Sequence, residues 1–194
     1  GACRNGRQHG TGTYRLPDGY EYSGDWVDGE VRGQGVARFP DGSVYEGEFV
    51  EGKQHGLGKL TRGDGSTYEG GWQEGLPHGD GLSVFASGIR YEGRFSMGQR
   101  SGVGVMTGPD GYSYDGDWVE GRQEGHARIT YPDGTTYEGN VINGQLEGQG
   151  RLETPDGLIY EGAWANGAMN GTGRQVHPNG DIYEGELRET RRHG

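Results

Sequence analysis

Residues 22–44 read YSGDWVDGEVRGQGVARFPDGSV, and residues 45–67 read YEGEFVEGKQHGLGKLTRGDGST. Each opens on Tyr, with Gly two residues later and a large apolar residue two beyond that. The same opening recurs at Tyr68, Tyr91, Tyr114, Tyr137, Tyr160 and Tyr183, always 23 residues apart and without insertion. With the tyrosine at offset zero, offset two is glycine in every unit from Gly24 to Gly185. Offset four is Trp26, Phe49, Trp72, Phe95, Trp118, Val141, Trp164 or Leu187. Of the 44 glycines, 41 fall at offsets two, seven, eleven, thirteen and twenty; Gly63, Gly71 and Gly108 do not. A fixed period of this length is the signature of a repeat architecture.

The period resolves a conflict in the composition. With 44 Gly, 7 Pro and only 29% hydrophobic residues among 194, an aperiodic chain would be read as disordered. Yet the chain holds 12 Tyr, 4 Trp and 4 Phe, which disordered chains lack. No apolar run approaches the ~18 residues of a membrane helix, and no charged-then-apolar leader opens the chain. A single cysteine, Cys3, excludes an intramolecular disulfide and fits a reducing compartment. The net charge of −11 opposes nucleic acid and anionic lipid, so no nucleic-acid partner is expected.

Large groups at offsets zero and four alternate with polar residues, the period of a strand with one lined face. Residue-plus-Gly pairs follow at Asp28-Gly29, Glu51-Gly52, Glu74-Gly75, Met97-Gly98, Glu120-Gly121, Asn143-Gly144 and Asn166-Gly167, a hairpin signal. A second strand is expected over offsets eleven to seventeen. Pro-Asp-Gly, as at Pro40-Asp41-Gly42, then turns the chain. The expected fold is all-β: a single-layer antiparallel meander of 23-residue hairpins forming an elongated, trough-like solenoid. The expected organisation is one array over residues 1–194, with a partial leading repeat (1–21), seven full repeats (22–182) and a truncated final repeat (183–194). The glycine columns are expected to let rings lie against bare backbone. The aromatic stack or groove would comprise Tyr22, Trp26, Tyr45, Phe49, Tyr68, Trp72, Tyr91, Phe95, Tyr114, Trp118 and Tyr137. Outward acids recur at offset one (Glu46, Glu69, Glu92, Asp115, Glu138, Glu161 and Glu184), roughly 10 Å apart in one column. Arg38, Lys59, Arg128, Arg151 and Arg174 can face them from the second strand.

The YxGxW…GxxxGxG pattern at a 23-residue period resembles the MORN repeat, and the resemblance covers the whole chain. Departures are Ala127 at an offset-thirteen glycine, Thr190 at an offset-seven glycine, and Cys3, Val141 and Leu187 in the Trp column. The array is similar to the repeat-only cytoskeletal MORN scaffolds of parasitic protists. That resemblance implies a non-catalytic scaffold or adaptor of the cytoskeleton or the membrane–cytoskeleton interface, intracellular, in the cytoplasm, the cytoskeleton or at the cell cortex, with cytoskeletal or adaptor proteins as partners. It also implies two alternatives, a groove that binds a helix or peptide and a module that contacts phosphoinositides.

Gly47–Lys53 reads GxxxxGK, but Gln54 replaces the Ser or Thr that would hold Mg²⁺. His55 and His78 share a column but are too far apart to chelate one metal. No catalytic constellation stands out, so no enzyme and no cofactor are expected. A zinc ion at an intermolecular contact would draw on Cys3, His177 or His193. Weak lipid contact would use Arg188, Arg191 and Arg192. A homodimer through the C-terminal repeats would use Tyr160, Trp164, Tyr183 and Leu187.

Overall fold

The computed structural model describes residues 2–191, all of it strand, turn or irregular backbone. The chain divides into two compact units, residues 1–99 and 100–194. The first contains β1 (Cys3–Arg4), β2 (Arg7–Gln8), β3 (Gly10–Arg15), β4 (Glu21–Val27), β5 (Glu30–Arg38), β6 (Val44–Val50), β7 (Lys53–Thr61), β8 (Thr67–Gln73), β9 (Leu76–Val84) and β10 (Arg90–Ser96). The second contains β11 (Gln99–Thr107), β12 (Ser113–Val119), β13 (Arg122–Thr130), β14 (Thr136–Ile142), β15 (Gln145–Glu153), β16 (Ile159–Ala165), β17 (Ala168–Val176) and β18 (Ile182–Arg191). β1 and β2 pair with each other, and β3 to β18 follow one another in chain order as an antiparallel meander.

Each hairpin tip is two residues long. Asp28 and Gly29 both have positive φ, 51° and 85°, which matches the twist of the flanking strands. The tip glycine then donates its N–H to a carbonyl of the preceding repeat: Gly52 to Val31, Gly75 to Gln54, Gly144 to Gln123 and Gly167 to Leu146. The second strand therefore begins directly after the tip, at offset eight, and ends at offset sixteen. That is earlier than the span read from the apolar pattern, because the polar residues at its start pair as regularly as the apolar ones at its end. At the Pro-Asp-Gly turns the Asp side chain accepts the N–H two residues on, as Asp41 does from Ser43 at 2.8 Å and Asp133 from Thr135 at 2.9 Å. Bonds from Ser43 hold the Asp41 carboxyl below the usual carboxylate range.

The glycines at offsets two and thirteen face one another across every strand pair. In the first unit the line runs Gly12–Gly24–Gly35–Gly47–Gly58–Gly70–Gly81–Gly93. In the second it runs from Gly104 to Gly185, with Ala127 as the one departure. Each tyrosine ring lies over this line. A Cβ on Gly35 would stand 2.5 Å from Tyr22 Cε2, inside van der Waals contact, so the position is bare for steric reasons. Within each hairpin the register slips beside the line: Gly24 pairs with Gly35 but Trp26 pairs with Val31. The extra residues form a bulge that kinks the sheet. The Tyr22 hydroxyl donates to the Asp25 carbonyl there at 2.7 Å, and Tyr45, Tyr68, Tyr114, Tyr137 and Tyr160 repeat the contact.

Candidate functional site: an aromatic groove on the inner face

The inner face carries the tyrosine and Trp/Phe columns. Seven tyrosines, Tyr22 to Tyr160, are at most 1% exposed, and Phe49, Trp72 and Trp118 at most 5%. Successive rings meet edge to face: Tyr22–Phe49 at 5.0 Å, Tyr45–Trp72 at 5.1 Å and Tyr68–Phe95 at 5.0 Å. Such pairs contribute roughly 0.5–1.5 kcal/mol each beyond their area. Trp26, Trp72, Trp118 and Trp164 donate their indole N–H to the offset-thirteen carbonyls of the preceding repeat, Gly12, Gly58, Gly104 and Gly150. The aromatic residues named from the sequence are thus a packed interior. Burial pushes the Tyr22 and Tyr68 phenols up to about 12, helped by the nearby Asp25 and Asp80 carboxylates respectively.

The surface left open lies beside that interior, near its N-terminal end. Tyr14, Leu16, Tyr20, Val31, Phe39, Pro40 and Gln54 line a groove of about 480 Å³, with Tyr22, Trp26 and Phe49 as its floor and Asp18 on its rim. Tyr14 is 42% exposed and Leu16 39%. Tyr20 and Phe39 pack edge to face at 5.5 Å along one wall, and Tyr14 meets Trp26 at 6.2 Å. These rings come from offsets fifteen, seventeen and twenty-one, at the end of the second strand and the turn beyond it. An equivalent pair, Tyr112–Tyr131, sits four repeats later in the second unit at 6.4 Å. These rings lie outside the columns named for the aromatic stack or groove. The signal was available: Tyr14, Tyr20 and Phe39 stand where other repeats carry Leu60, Ser43 or Arg62.

The remaining expected sites are placed as follows. Tyr160 and Trp164 are interior, at 0% and 3% exposure, while Tyr183 is 47% exposed and Leu187 half-buried. Cys3 is exposed in β1 and His177 is exposed in the turn after β17. Among the described residues no group of three or more His, Cys, Asp or Glu could hold a metal ion. Arg188 and Arg191 lie on the backbone of β18; Arg192 and His193 lie outside the described residues. Gly47–Lys53 runs from β6 through a hairpin tip into β7 and not from a strand into a helix, so it is no phosphate loop.

Among solved structures, the TCP domain of Drosophila melanogaster SAS-4 (dCPAP), in complex with a proline-rich motif of Ana2 (dSTIL), has a TM-score of 0.50 to this chain. The match is 12% identical and covers 91% of this chain and 90% of that one. The G-box domain of the microcephaly protein CPAP gives 0.46 at 16% identity, covering 92% and 99%. At these identities the first is a likeness of fold. No curated protein matches the chain in sequence. The MORN repeat matches residues 4–19, 22–44, 45–67, 68–90, 91–111, 114–136, 137–159 and 160–182. Eight matched repeats, seven of them opening on the same tyrosine and built on the glycine line and two-residue tip, place the chain in the MORN repeat family.

Proposed function

We propose that the chain is a non-catalytic, protein-binding repeat module whose inner groove at residues 14–54 seats an apolar, proline-containing segment of a partner protein. The observation that carries this reading is the wall of Tyr14, Leu16, Tyr20, Phe39 and Pro40, apolar side chains held open beside a fully packed interior. Rings fixed by edge-to-face neighbours lose little entropy when a ligand arrives, and proline-rich segments suit aromatic grooves because they are already extended. The complex of the dCPAP TCP domain with a proline-rich motif supports the same use of a meander of this fold. The test is an immobilised array of uncharged proline-rich, amphipathic-helical and scrambled peptides probed with the full chain. Selective capture of the proline-rich set, abolished by Tyr20→Ala with Phe39→Ala, is the expected result. Capture that ignores both substitutions, or no selectivity among the sets, overturns it.

A second reading, an intracellular cytoskeletal scaffold that self-associates through β18, is favoured by the exposure of Ile182 (55%) and Tyr183 (47%). With Tyr160 and Trp164 interior, Ile182 and Tyr183 would carry such a contact. Sedimentation of the wild type and of Tyr183→Glu decides it: a dimer lost on substitution supports this reading, and a monomeric wild type ends it.

A further inference from the structure

The outer face of the first unit carries a second groove. The outward side chains stand in two rows across the strands, and a trench runs between the rows. Two cavities, of about 480 and 410 Å³, lie along it and share Glu69. Gly58, Gly70, Gly81 and Gly93 are the floor. One wall is the row Glu46, Lys59, Glu69, Leu82 and Glu92, successive partners in the ladder from β6 to β10. The other wall includes Leu57 and Asp80.

Two features mark this trench as a place for a ligand. Leu57 is 69% exposed, more than any other large apolar residue described. The cavity lined by Glu69, Asp80, Leu82 and Glu92 contains three carboxylates and no cation in its lining. Arg94 approaches Asp80 at 3.8 Å with both side chains largely exposed, a contact of little strength. In the adjoining cavity Lys59 stands between Glu46 and Glu69, and the second unit repeats that arrangement with arginine. Arg151 stands between Glu138 and Glu161, and Arg174 between Glu161 and Glu184. Arg151 reaches Glu161 at 3.1 Å and Arg174 reaches Glu184 at 3.2 Å. In the first unit Leu82 occupies that place between Glu69 and Glu92.

The dimensions select the ligand's conformation. The two walls are two residues apart along each strand, about 7 Å, too narrow for a helix roughly 10 Å or more across. Glu46, Glu69 and Glu92 recur every second strand, about 9.6 Å. A polyproline II chain rises about 3.1 Å per residue with three residues per turn, so every third side chain returns to one side after about 9.3 Å. A β-strand returns every ~6.8 Å and falls out of step. We infer that the outer trench of the first unit binds a basic polyproline II segment of a partner protein, with Lys or Arg at every third residue facing Glu46, Glu69 and Glu92. The apolar residues between them rest on Leu57 and Leu82.

The probe is fluorescently labelled (Lys-Pro-Pro)4, compared with an isomer of the same composition whose lysines are consecutive. Spaced lysines should bind the full chain about tenfold more tightly, the sum of three surface ion pairs, and rising salt should remove the difference. Leu82→Arg, which copies the second unit's pairing, should reduce the spaced peptide to the level of the isomer. Glu69→Gln, which changes no volume, should weaken it by about half as much on a logarithmic scale. Tyr20→Ala should leave this binding unchanged while removing capture at the inner groove, so the two surfaces fail or succeed separately. Equal affinity for the two peptides, or full binding by Leu82→Arg, overturns the inference.

Discussion

The two units share a repeat but spend it differently. In the second, Ile129, Leu146, Leu152 and Met169 are buried at offsets nine and fifteen beside the polar Gln123 and Gln175; the first has Val31, Gln54, Pro77, Ala37, Leu60 and Ser83 there, of which Ala37 is the buried one. The second pairs its outer acids with Arg151 and Arg174; the first has Lys59 between Glu46 and Glu69 but Leu82 between Glu69 and Glu92. The first instead keeps an aromatic groove on one face and an acid-walled trench on the other. Its interior is correspondingly ring-rich, while in the second Val141 replaces a ring at 0% exposure. A shared backbone thus supports one unit specialised for packing and another with open surfaces, and the difference lies in a few columns rather than in the motif.

The largest effect should come from the glycine line. In Gly58→Val the new Cβ meets the Tyr45 phenol, and the bulge closed by that tyrosine cannot form; a loss of about 3 kcal/mol or more in urea unfolding is expected. The mirror change, Ala127→Gly, should cost only about 1 kcal/mol, because it removes a single buried methyl group and adds chain entropy. If the two changes cost the same, the line is not set by sterics. Next in size, Phe49→Val gives the first unit the second's Val141 and opens a cavity between Tyr22 and Tyr45. About 2 kcal/mol should be lost, more than for Val141→Ala if the first unit depends more heavily on rings.

Alkali tests both units together. Burial raises the phenol pKa values of Tyr22, Tyr45, Tyr68, Tyr114, Tyr137 and Tyr160 above the ordinary 10, with Tyr22 and Tyr68 at about 12. A raised pKa of this kind contributes stability that is fully present below pH 10 and is lost as pH rises toward 12. Phenolate absorbance should therefore appear in a cooperative step with unfolding. Smooth titration of all tyrosines before unfolding would contradict the packed interior. The smallest effect concerns the outer columns: Leu82→Arg should stabilise the first unit, and Arg174→Leu destabilise the second, each by only a few tenths of a kcal/mol.

The hairpins were legible because their causes are local. Asp28-Gly29 supplies the two positive φ values of the tip, Pro40-Asp41-Gly42 supplies the wider turn, and Tyr22-x-Gly24-x-Trp26 alternates with the strand period. The groove was less legible. Tyr22 and Trp72 attract attention in the sequence as large conserved-spacing rings, yet the structure packs them away, and the open surface falls to Tyr14, Tyr20 and Phe39 at the margins of the repeat. Exposure depends on what neighbouring strands place above a ring, which spacing does not contain.

What the sequence alone determined is the unit: its length, its two turns, its lined face and the need for bare backbone beneath each tyrosine. All of these follow from φ preferences, alternation and side-chain size within 23 residues. Tertiary structure alone decided the partners across the ladder. The register sets Gly35 beneath the Tyr22 ring, Leu82 between two glutamates, and Arg174 between two others. Arg174 and Glu184 meet across strands 10 positions apart in the chain, so one column of the repeat becomes a salt-bridged pair there and two glutamates flanking Leu82 in the first unit.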